Sequence, residues 1–518
     1  MRNPRPSFFI VHPSLTLDRR PSLFIFHCSL FILLSLFILH SSFFITGCSS
    51  STKPKTGSLS GRVILVNDTG DPSLDPVDFS GVTVALYELA VLDTTIVRIN
   101  QEYPQIGVQI SQETEFDHRL QNPVRVVTTD PDGSYSFDKV TLGTYNLVAL
   151  KPGWGVRYCY GFTVSEVGLD ALESLSIVEL YPETELSGSV MEYMEFLPHH
   201  SYVINNDTIL VGGCRFHGDT RVMVSSGSNL NISERIDFSR SDTFWRITSL
   251  DGMYAAEKKE GITPFNKLSL DFIANPKECK NMILSNAVSG LSAGQSQTSF
   301  NNIIIRKTAS SALVLNSNQA IVSNCLIYDS IGKGIVAYNI AEIVKSMFVR
   351  NHESCMLHQA DATVVDSYFF GSYLGIRSFL DPQIIRYNCF DQNDVAIAPS
   401  ASSPTIEFNN FFDNKRDIEL NRGGVATDPG YCSPNIQRNN FLGNKFYIHL
   451  RGVNSVYADG YIPFTGVNTN QHYPNNYWKA AILANHIYDS NFPSSGVSFT
   501  VSYTPRSSFP VKGTGIRG

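Results

Sequence analysis

The sequence predicts an all-β protein in which a small antiparallel β-sandwich precedes a parallel β-helix. Three observations predict this fold class. A motif of Asn or Ser followed by apolar residues returns at regular spacing through the second half of the chain. Short segments rich in Val, Ile, Phe and Tyr are separated by Gly, Asn and Ser, which is typical of strands. Apolar residues make up 42% and charged residues 17% of the chain, a balance typical of a β-rich exported protein.

The first 47 residues predict a targeting segment rather than a part of the fold. An apolar run from 23 to 45 ends just before Cys48, and Ile-Thr-Gly-Cys resembles the bacterial lipobox. The resemblance implies that Cys48 is lipidated, that residues 48–57 form a tether, and that the protein is exported. Ser50 in place of Asp implies the outer membrane, on its periplasmic or surface side. The alternative is a signal anchor, because the run is long enough to span a bilayer.

Residues 58–160 predict the sandwich, because alternating strands are split by turns. The order Gly-x-Val, Gly-Val-x-Val, Thr-Asp-x-Asp-Gly-x-Tyr-x-Phe and Leu-Gly-x-Tyr resembles the carboxypeptidase regulatory-like domain, a transthyretin-like accessory module without peptidase chemistry. The stretch between Tyr87 and Val124 is longer than the usual crossing, and we expect it to be partly helical. Asp130 and Asp132 suit either calcium binding or a hairpin turn, and the turn is favoured.

Residues 161–185 are interpreted as a connector, residues 186–505 as the β-helix and residues 506–518 as a C-terminal tail. The repeat is anchored by an Asn or Ser that we expect to point inward at one corner of each coil. Neighbouring anchors are 21 or 22 residues apart, except for the last steps of 30 and 36 residues. Stacked side chains of this kind satisfy one another's hydrogen bonds. The predicted ladder consists of Asn281, Asn302, Asn324, Ser346, Ser367, Asn388, Asn410, Asn440 and Asn476.

A second apolar centre follows each anchor by about 11 residues and predicts further strands in each coil. These centres are Leu313, Ile335, Met356, Ile376, Ile397, Ile418 and Ile448. With two or three strands per repeat, the chain resembles the right-handed parallel β-helix proteins of the pectin-lyase-like superfamily. The closing segment 474–478 resembles the final coil of many bacterial members. This resemblance implies the fold, and for an enzyme it implies polysaccharide lyase or glycoside hydrolase chemistry.

Charge and cysteine content exclude several classes of function. The formal net charge is −7 for the whole chain, and without residues 1–47 it is (40 − 4) − (47 − 1) = −10, which argues against nucleic acid as a partner. Beyond Cys28 and Cys48, seven cysteines remain without a C-x-x-C motif, so neither a disulfide framework nor a zinc site is indicated. We expect no metal and no cofactor, and a monomer by default.

Polar residues gather on the C-terminal coils, just before two long insertions at about 423–433 and 453–473. Carboxylates, Arg and Tyr suit sugar hydroxyls and sugar rings, so these residues form the candidate binding patch, expected on one outer face. The alternative is that they are cross-strand pairs on an exposed face. The patch consists of Arg377, Asp417, Glu419, Asn421, Tyr447, His449 and Arg451.

The sequence favours a membrane-anchored, non-catalytic module that binds carbohydrate or serves in surface adhesion or structure. The alternative is a polysaccharide lyase or glycoside hydrolase that uses the same patch. A lyase needs a base and a cation, which His449 and either Arg377 or Arg451 could supply. A hydrolase needs two carboxyls, which Asp417 and Glu419 could supply. The Asp-Asp and Arg-Ile-Lys elements of polygalacturonase-like proteins are missing, and so is an acidic calcium cluster.

Overall fold

The structure is a computed structural model, and almost all of its regular elements are strands. It describes residues 55–165, 177–239, 242–270, 277–294, 297–316, 319–358, 361–380, 383–400, 402–421, 434–443, 446–451, 456–457, 460–461, 470–479, 487–489, 500–502 and 507–517. The predicted signal segment and Cys48 lie outside these ranges. Within them, no helix has the length and apolarity that crossing a membrane requires.

Two sheets form the N-terminal sandwich. One has the strand order β4-β1-β7 and the other β3-β2-β5-β6, and all pairs are antiparallel except β1 with β7. Val63, Val84, Phe137 and Leu147 fill the space between the sheets and are fully or almost fully buried. The strands are β1 (Thr56–Leu65), β2 (Thr83–Glu88), β3 (Arg125–Thr128), β4 (Ser134–Thr141), β5 (Gly143–Lys151), β6 (Gly155–Val164) and β7 (Val178–Leu180). The last strand thus lies within the segment interpreted as a connector.

The turn between β3 and β4 carries the chain from one sheet to the other. Asp132 accepts hydrogen bonds from the backbone and hydroxyl of Ser134 through Oδ1, at 3.0 and 2.7 Å. Gly133 has a φ of 86°, and a Cβ there would lie 2.1 Å from the carbonyl oxygen of Val63. The residues therefore form a turn, as the sequence favours, but this turn joins strands of two different sheets and is not a hairpin. Gly133 donates to the carbonyl of Asp130 at 2.8 Å and is the fourth residue of the turn, where only glycine fits.

The long stretch between β2 and β3 is partly helical, as expected. It contains α1 (Thr94–Glu102), α2 (Gln112–Glu115) and a 3-10 turn at His118–Leu120; another 3-10 turn, Pro72–Leu74, precedes β2. Asp93 begins α1 by accepting hydrogen bonds from the backbone N–H groups of Thr95 and Ile96. We call residues 89–124 the insertion.

Most of the described residues after β7 form the right-handed parallel β-helix that the sequence predicts, with three strands in each complete coil. Face 1 is formed by Met194–Phe196, Cys214–Phe216, Ile236–Phe238, the first halves of Lys277–Ser285 and Thr298–Arg306, Gln319–Ser323, Ile340–Val344, Ala362–Val365, Ile384–Arg386, Thr405–Glu407 and Asn435–Gln437.

Face 2 follows face 1 in each coil. It is formed by the first halves of Thr184–Val190 and Ser201–Leu210, Arg221–Val224, Trp245–Ser249, the second halves of Lys277–Ser285 and Thr298–Arg306, Leu326–Tyr328, Met347–Val349, Tyr368–Phe370, Cys389–Asp391, Asn410–Phe412, Asn440–Phe441 and Tyr477–Trp478.

Face 3 completes each coil. It is formed by the second halves of Thr184–Val190 and Ser201–Leu210, Asn229–Ile232, Lys267–Leu270, Leu291–Ala293, Leu313–Leu315, Lys333–Ala337, Glu353–His358, Leu374–Phe379, Val395–Ser400, Arg416–Asn421, Phe446–Arg451 and Ile487–Asp489. Two further pairs, Val456–Tyr457 with Gly460–Tyr461 and Asn470–His472 with Thr500–Ser502, lie outside the coils.

The corner between faces 1 and 2 contains the predicted ladder, but its members differ from those predicted. In each step, a side-chain oxygen accepts a hydrogen bond from the backbone N–H of the preceding coil at 2.8–3.2 Å. The acceptors are Ser346, Ser367, Asn388, Asn409, Asn439 and Asn476. Asn409 and Asn439 thus replace the predicted Asn410 and Asn440, which lie one position further on, at the start of face 2.

The other predicted anchors occupy the position before the ladder. Asn281, Asn302 and Asn324 have φ values of 52°, 55° and 51°, and they belong to a column of left-handed residues that turns the chain at this corner. Asn tolerates this conformation better than most residues, which explains why it recurs there too. The column continues with Lys345, Asp366, Tyr387, Phe408, Arg438 and Asn475.

A second ladder, which the sequence reasoning did not predict, lies at the corner between faces 2 and 3. It also follows a column of left-handed residues, among them Lys307, Asp329 and Arg350. Backbone N–H groups donate to side-chain oxygens of the next coil at 2.9–3.2 Å. The ladder consists of Thr308, Ser330, Asn351, Ser372, Asn393 and Asn414.

Inside the coils, aromatic rings from face 2 form a continuous stack. Neighbouring ring centroids are 4.2–5.2 Å apart and the ring planes are within 12° of parallel. The rings belong to Phe348, Phe369, Phe390, Phe411, Phe441 and Trp478. Since each is at most 1% exposed, the stack and the two ladders fix the register of the coils.

The chain's own N-terminal domain covers the outside of face 2. Val148 of β5 and Tyr158 of β6 pack against Val203 and Met223 in the first coils. Ile96 and Ile99 of α1 pack in a second cluster, with Ile304, Leu326, Met347 and Val349 in the middle coils. The apolar outer side of face 2 is therefore an internal interface.

Buried polar groups reinforce this interface. Arg119, which is 1% exposed, forms a two-pronged ion pair with Asp117 at 2.9 and 2.8 Å. Its guanidinium also donates to the carbonyls of Ser249 and Asp251 and to the hydroxyl of Thr248, at 2.7–3.0 Å.

The C-terminal segment covers the far end of face 2. Arg517 forms an ion pair with Asp366 at 2.7–3.0 Å, and Asn440 donates to Thr514 at 2.6 Å.

Candidate functional site

The register of the face 3 strands aligns residues in three columns that run along the axis of the solenoid. Strand register aligns Lys333, Glu353, Leu374, Val395 and Arg416 in the first column. The second column contains Val336, Met356, Arg377 and Ala398, and the pairing of Ile397 with Ile418 extends it to Glu419 and His449. The third contains His358, Phe379, Ser400, Asn421 and Arg451.

One centre predicted for this face is displaced by one residue. Ile335 and Ile376 align with Cys355, which is fully buried, whereas Met356 lies on the outer side and aligns with Arg377. A strand alternates between its two sides, so a displacement of one residue exchanges inside and outside. The sequence reasoning therefore looked for outward neighbours in the wrong columns at this coil.

Two members of the predicted patch lie inside the coil rather than on its outer face. Asp417 is 2% exposed and accepts a hydrogen bond at 2.9 Å from Asn414 of the second ladder. Burial raises the pKa of Asp417 well above its usual value. Tyr447 packs against Phe441 and Trp478 and donates to the carbonyl of Gly443 at 3.1 Å. Asp417 and Tyr447 directly precede the buried Ile418 and Ile448. Two successive residues therefore point inward here, which interrupts the usual alternation of the strand.

Arg377 and Glu419 do lie on the outer side of face 3, and each pairs with an oppositely charged neighbour. Arg377 is one-third exposed and forms an ion pair with Glu353, which is almost buried. Arg416 forms an ion pair with Glu419 at 2.6 Å, and Glu419 is also almost buried. The buried apolar side chains of Leu374, Val395 and Ala398 lie between the two pairs along the columns.

For the remaining members of the patch the structure gives the backbone only. Asn421 pairs with Arg451, and Glu419 pairs with His449, in the parallel register of face 3. The side chains of Asn421, His449 and Arg451 lie outside the described part of the structure. The same is true of most residues in the two C-terminal loops at 423–433 and 453–473, which the sequence predicted as long insertions. Their predicted role in binding stays a prediction.

Aromatic side chains form a row at the start of the third column. The ring centroids of Tyr338 and His358 are 5.8 Å apart, and those of His358 and Phe379 are 5.5 Å apart. Tyr338 is 43% exposed and the other two are partly exposed. Arg377 lies beside the row, with its guanidinium carbon 5.8 Å from the ring centroid of Phe379. In His358, Nδ1 is buried without a hydrogen-bond partner.

The sequence reasoning missed this row because it looked for polar residues on the C-terminal coils, and the row consists of aromatic residues on earlier coils. Tyr338, His358 and Phe379 lie three positions after Ile335, Cys355 and Ile376, and they recur at steps of 20 and 21 residues. An aromatic ring at a fixed distance from each apolar centre is the signal that could have revealed the row.

A pocket of about 550 Å³ lies between the insertion and the corner that joins faces 2 and 3. Its walls come from two segments of the insertion and from two neighbouring coils, so tertiary packing alone assembles it. The lining residues are Ala90, Val91, Leu92, Asp93, Thr94, Glu115, Phe116, Asp117, Leu120, Gln121, Arg306, Lys307, Tyr328 and Asp329.

The carboxylates of this pocket have partners in the protein. Glu115 accepts hydrogen bonds from Arg306 at 2.8 Å and from the Tyr328 hydroxyl at 2.5 Å. Asp93 and Asp329 both pair with Arg350, each at 2.8 Å. In the part of the chain that the structure describes, no group of His, Cys, Asp and Glu side chains has the arrangement to hold a metal ion.

Comparison with known proteins leaves the family open. No family model matches the chain, and no curated protein matches it. Among solved structures, a family 28 exopolygalacturonase from Yersinia enterocolitica is similar to 89% of this chain over 95% of its own, at a TM-score of 0.24 and 9% identity. A superposition this loose carries no argument about activity. What the protein does must therefore be inferred from its own residues.

Proposed function

We propose that the protein binds a linear polysaccharide along face 3, parallel to the axis of the solenoid. The observation that carries this proposal is the row of Tyr338, His358 and Phe379, which presents one ring per coil beside the Arg377–Glu353 pair. Aromatic rings pack against the apolar faces of sugar rings, and charged side chains hydrogen-bond to sugar hydroxyls. A repeating surface suits a ligand that also repeats.

Binding without cleavage fits the charges on this face better than catalysis does. The carboxylates of Glu353 and Glu419 are each paired with an arginine, and Asp417 is buried inside the coil. A hydrolase needs one carboxyl as an acid and another as a base or nucleophile, both in reach of the bond to be cleaved. Cleavage of the polysaccharide stays the second candidate, and the assay for binding also tests it.

The test is a binding screen of the protein against neutral and acidic polysaccharides, with simultaneous measurement of new reducing and unsaturated ends. We expect Tyr338→Ala and Phe379→Ala to weaken binding by about 3- to 10-fold each, as the loss of one ring contact implies. Tyr373→Ala is the matched control, because Tyr373 is 46% exposed and stacks on His352 but lies outside the row.

If all three variants bind as the wild type does, the row is not the binding surface. New chain ends that disappear in the row variants would support the enzyme instead.

Membrane anchoring through Cys48 is part of the same proposal. An exported protein held by a lipid would meet cell-wall or environmental glycans, which is where a polysaccharide-binding surface is useful. Its support is the Ile-Thr-Gly-Cys sequence after a long apolar run. Labelled fatty acid should be incorporated into the wild type and not into Cys48→Ser; equal labelling of both would contradict the anchor.

A further inference from the structure

The pocket between the insertion and the solenoid has the features of a small-molecule site that is separate from face 3. Its volume of about 550 Å³ is in the range of ligand pockets. Its lining includes Val91 and Leu120, two apolar side chains that are 94% and 40% exposed. It also includes charged side chains from the insertion and from the coil corner. A ligand that fills this pocket would therefore have a polar part and an apolar part.

The charged side chains that line the pocket all have partners in the described part of the protein, except Lys307. Arg306 is committed to Glu115 and Tyr328, and Asp117 is committed to Arg119. Among the residues that the structure describes, Lys307 has no ion pair or hydrogen bond through its ammonium group, although it lines the pocket. The corner holds its backbone at a φ of 54°. Lys307 itself is exposed, so it is a solvent-accessible cation at the pocket without a partner of its own.

Two features of the surroundings of Lys307, its desolvation and the neighbouring Arg306, favour an anionic partner. Partial desolvation, together with the positive charge of Arg306, lowers the pKa of Lys307, although Asp117, Asp329 and Glu115 act in the opposite direction. Bringing a negative charge to the ammonium group would relieve this unfavourable balance.

The ligand should be a monoanion with hydrogen-bond donors next to its charge. Four carboxylates line the pocket, namely Asp93, Glu115, Asp117 and Asp329, so a doubly charged phosphate would be repelled more strongly than a single carboxylate. A hydroxyl or ammonium group beside the ligand's carboxylate could donate to these side chains. Such a pattern occurs in sugar acids and in free amino acids.

We propose that this pocket binds a small carboxylic acid that carries a neighbouring hydroxyl or ammonium group, with its carboxylate on Lys307 and its carbon skeleton toward Val91 and Leu120. The site does not depend on polysaccharide binding at face 3, because the two surfaces share no residue.

Titration calorimetry on the protein tests this proposal with three probes, namely D-galacturonate, L-leucine and inorganic phosphate. We expect galacturonate or leucine to bind more tightly than phosphate. Preference for galacturonate identifies the hydroxyl as the donor, and preference for leucine identifies the ammonium group. Binding should weaken as the pH rises through the lowered pKa of Lys307, because the ammonium group loses its charge. Absence of binding by both carboxylates, or tighter binding of phosphate, would overturn the proposal.

Variants assign the binding to Lys307. Lys307→Gln should weaken it at least tenfold, whereas Lys307→Arg should keep it within a few-fold because the charge remains. Lys345→Gln is the matched control, since Lys345 also has a left-handed backbone, with a φ of 48°, at a coil corner away from the pocket. Equal affinity of Lys307→Gln and Lys345→Gln would contradict the assignment. Unchanged melting temperatures of all three variants would exclude misfolding as the cause.

Discussion

Faces 2 and 3 are built by the same coils, yet the chain itself covers face 2 and leaves part of face 3 exposed. The outward side chains of face 2 include Leu326, Met347 and Val349, and the insertion covers them. On face 3, the corresponding rows carry the partly exposed rings of Tyr338, His358 and Phe379 and the Arg377–Glu353 pair. The coil geometry fixes where outward residues lie, and their chemistry decides whether a face becomes an internal interface or stays exposed.

The largest effect should come from breaking the polar contacts that hold the insertion on the solenoid. Arg119→Met leaves Asp117 buried without its cation, which should lower the free energy of unfolding by about 3–5 kcal/mol. Urea denaturation measures this change. Arg98→Met is the control, because Arg98 lies on α1 but is half exposed and its ion pairs with Glu102 and Asp391 are 3.4 Å long. If both variants lose the same free energy of unfolding, Arg119 does not hold the insertion on face 2 in the way described above.

An intermediate effect should distinguish the ladder from its neighbouring columns. Asn409 is fully buried, donates to the carbonyls of Ile385 and Glu407, and accepts from the backbone of Asn388. Asn409→Ala leaves buried groups without partners and should cost about 3 kcal/mol. Asn410→Ala removes the hydrogen bond that Asn410 accepts from Asn440 on the outer side of face 2, and it should cost about 1 kcal/mol. Thermal unfolding compares the two, and a larger loss for Asn410→Ala would refute the register described above.

The smallest effect concerns Asp417 and tests whether its side chain lies inside the coil or on the outer side of face 3. Because its pKa is raised in the folded state, the native protein binds a proton that the unfolded chain has already released above about pH 4. The wild type should therefore lose stability with rising pH relative to Asp417→Asn, by up to about 1.4 kcal/mol between pH 5 and 6. Unfolding curves at the two pH values measure the difference. Parallel pH dependence in both proteins would mean that Asp417 is ionised and solvated.

Much of the fold could be predicted from the sequence, because the period of the repeat and the alternation within strands follow from local constraints. The register could not be predicted to the residue. Asn occurs in the left-handed column at Asn302, in the ladder at Asn409 and on face 2 at Asn410, and each position favours it for a different reason. A sequence shows that Asn recurs, but not which of three adjacent columns it occupies.

The candidate sites were less predictable, because they depend on packing between distant residues. Arg119 contacts Ser249, and Glu115 contacts Arg306, across separations of 130 and 191 residues. No local pattern signals that the insertion lies on face 2 or that a pocket forms beside Lys307. The face 3 patch was predicted in part, since Arg377 and Glu419 lie on the outer side, whereas Asp417 was misplaced because a corner interrupts the alternation of the strand.

The longer spacings near the C-terminal end have an evolutionary consequence. The ladder residues Asn409, Asn439 and Asn476 are separated by 30 and 37 residues instead of 21, yet they bond to each other as closely as the others do. The extra residues enter between faces 3 and 1, so they change neither the ladders nor the stacked rings. Doubling the length of a loop costs only about 0.6 kcal/mol in closure entropy. Loops at this edge can therefore be lengthened or exchanged during descent, which lets specificity diverge while the coils stay the same.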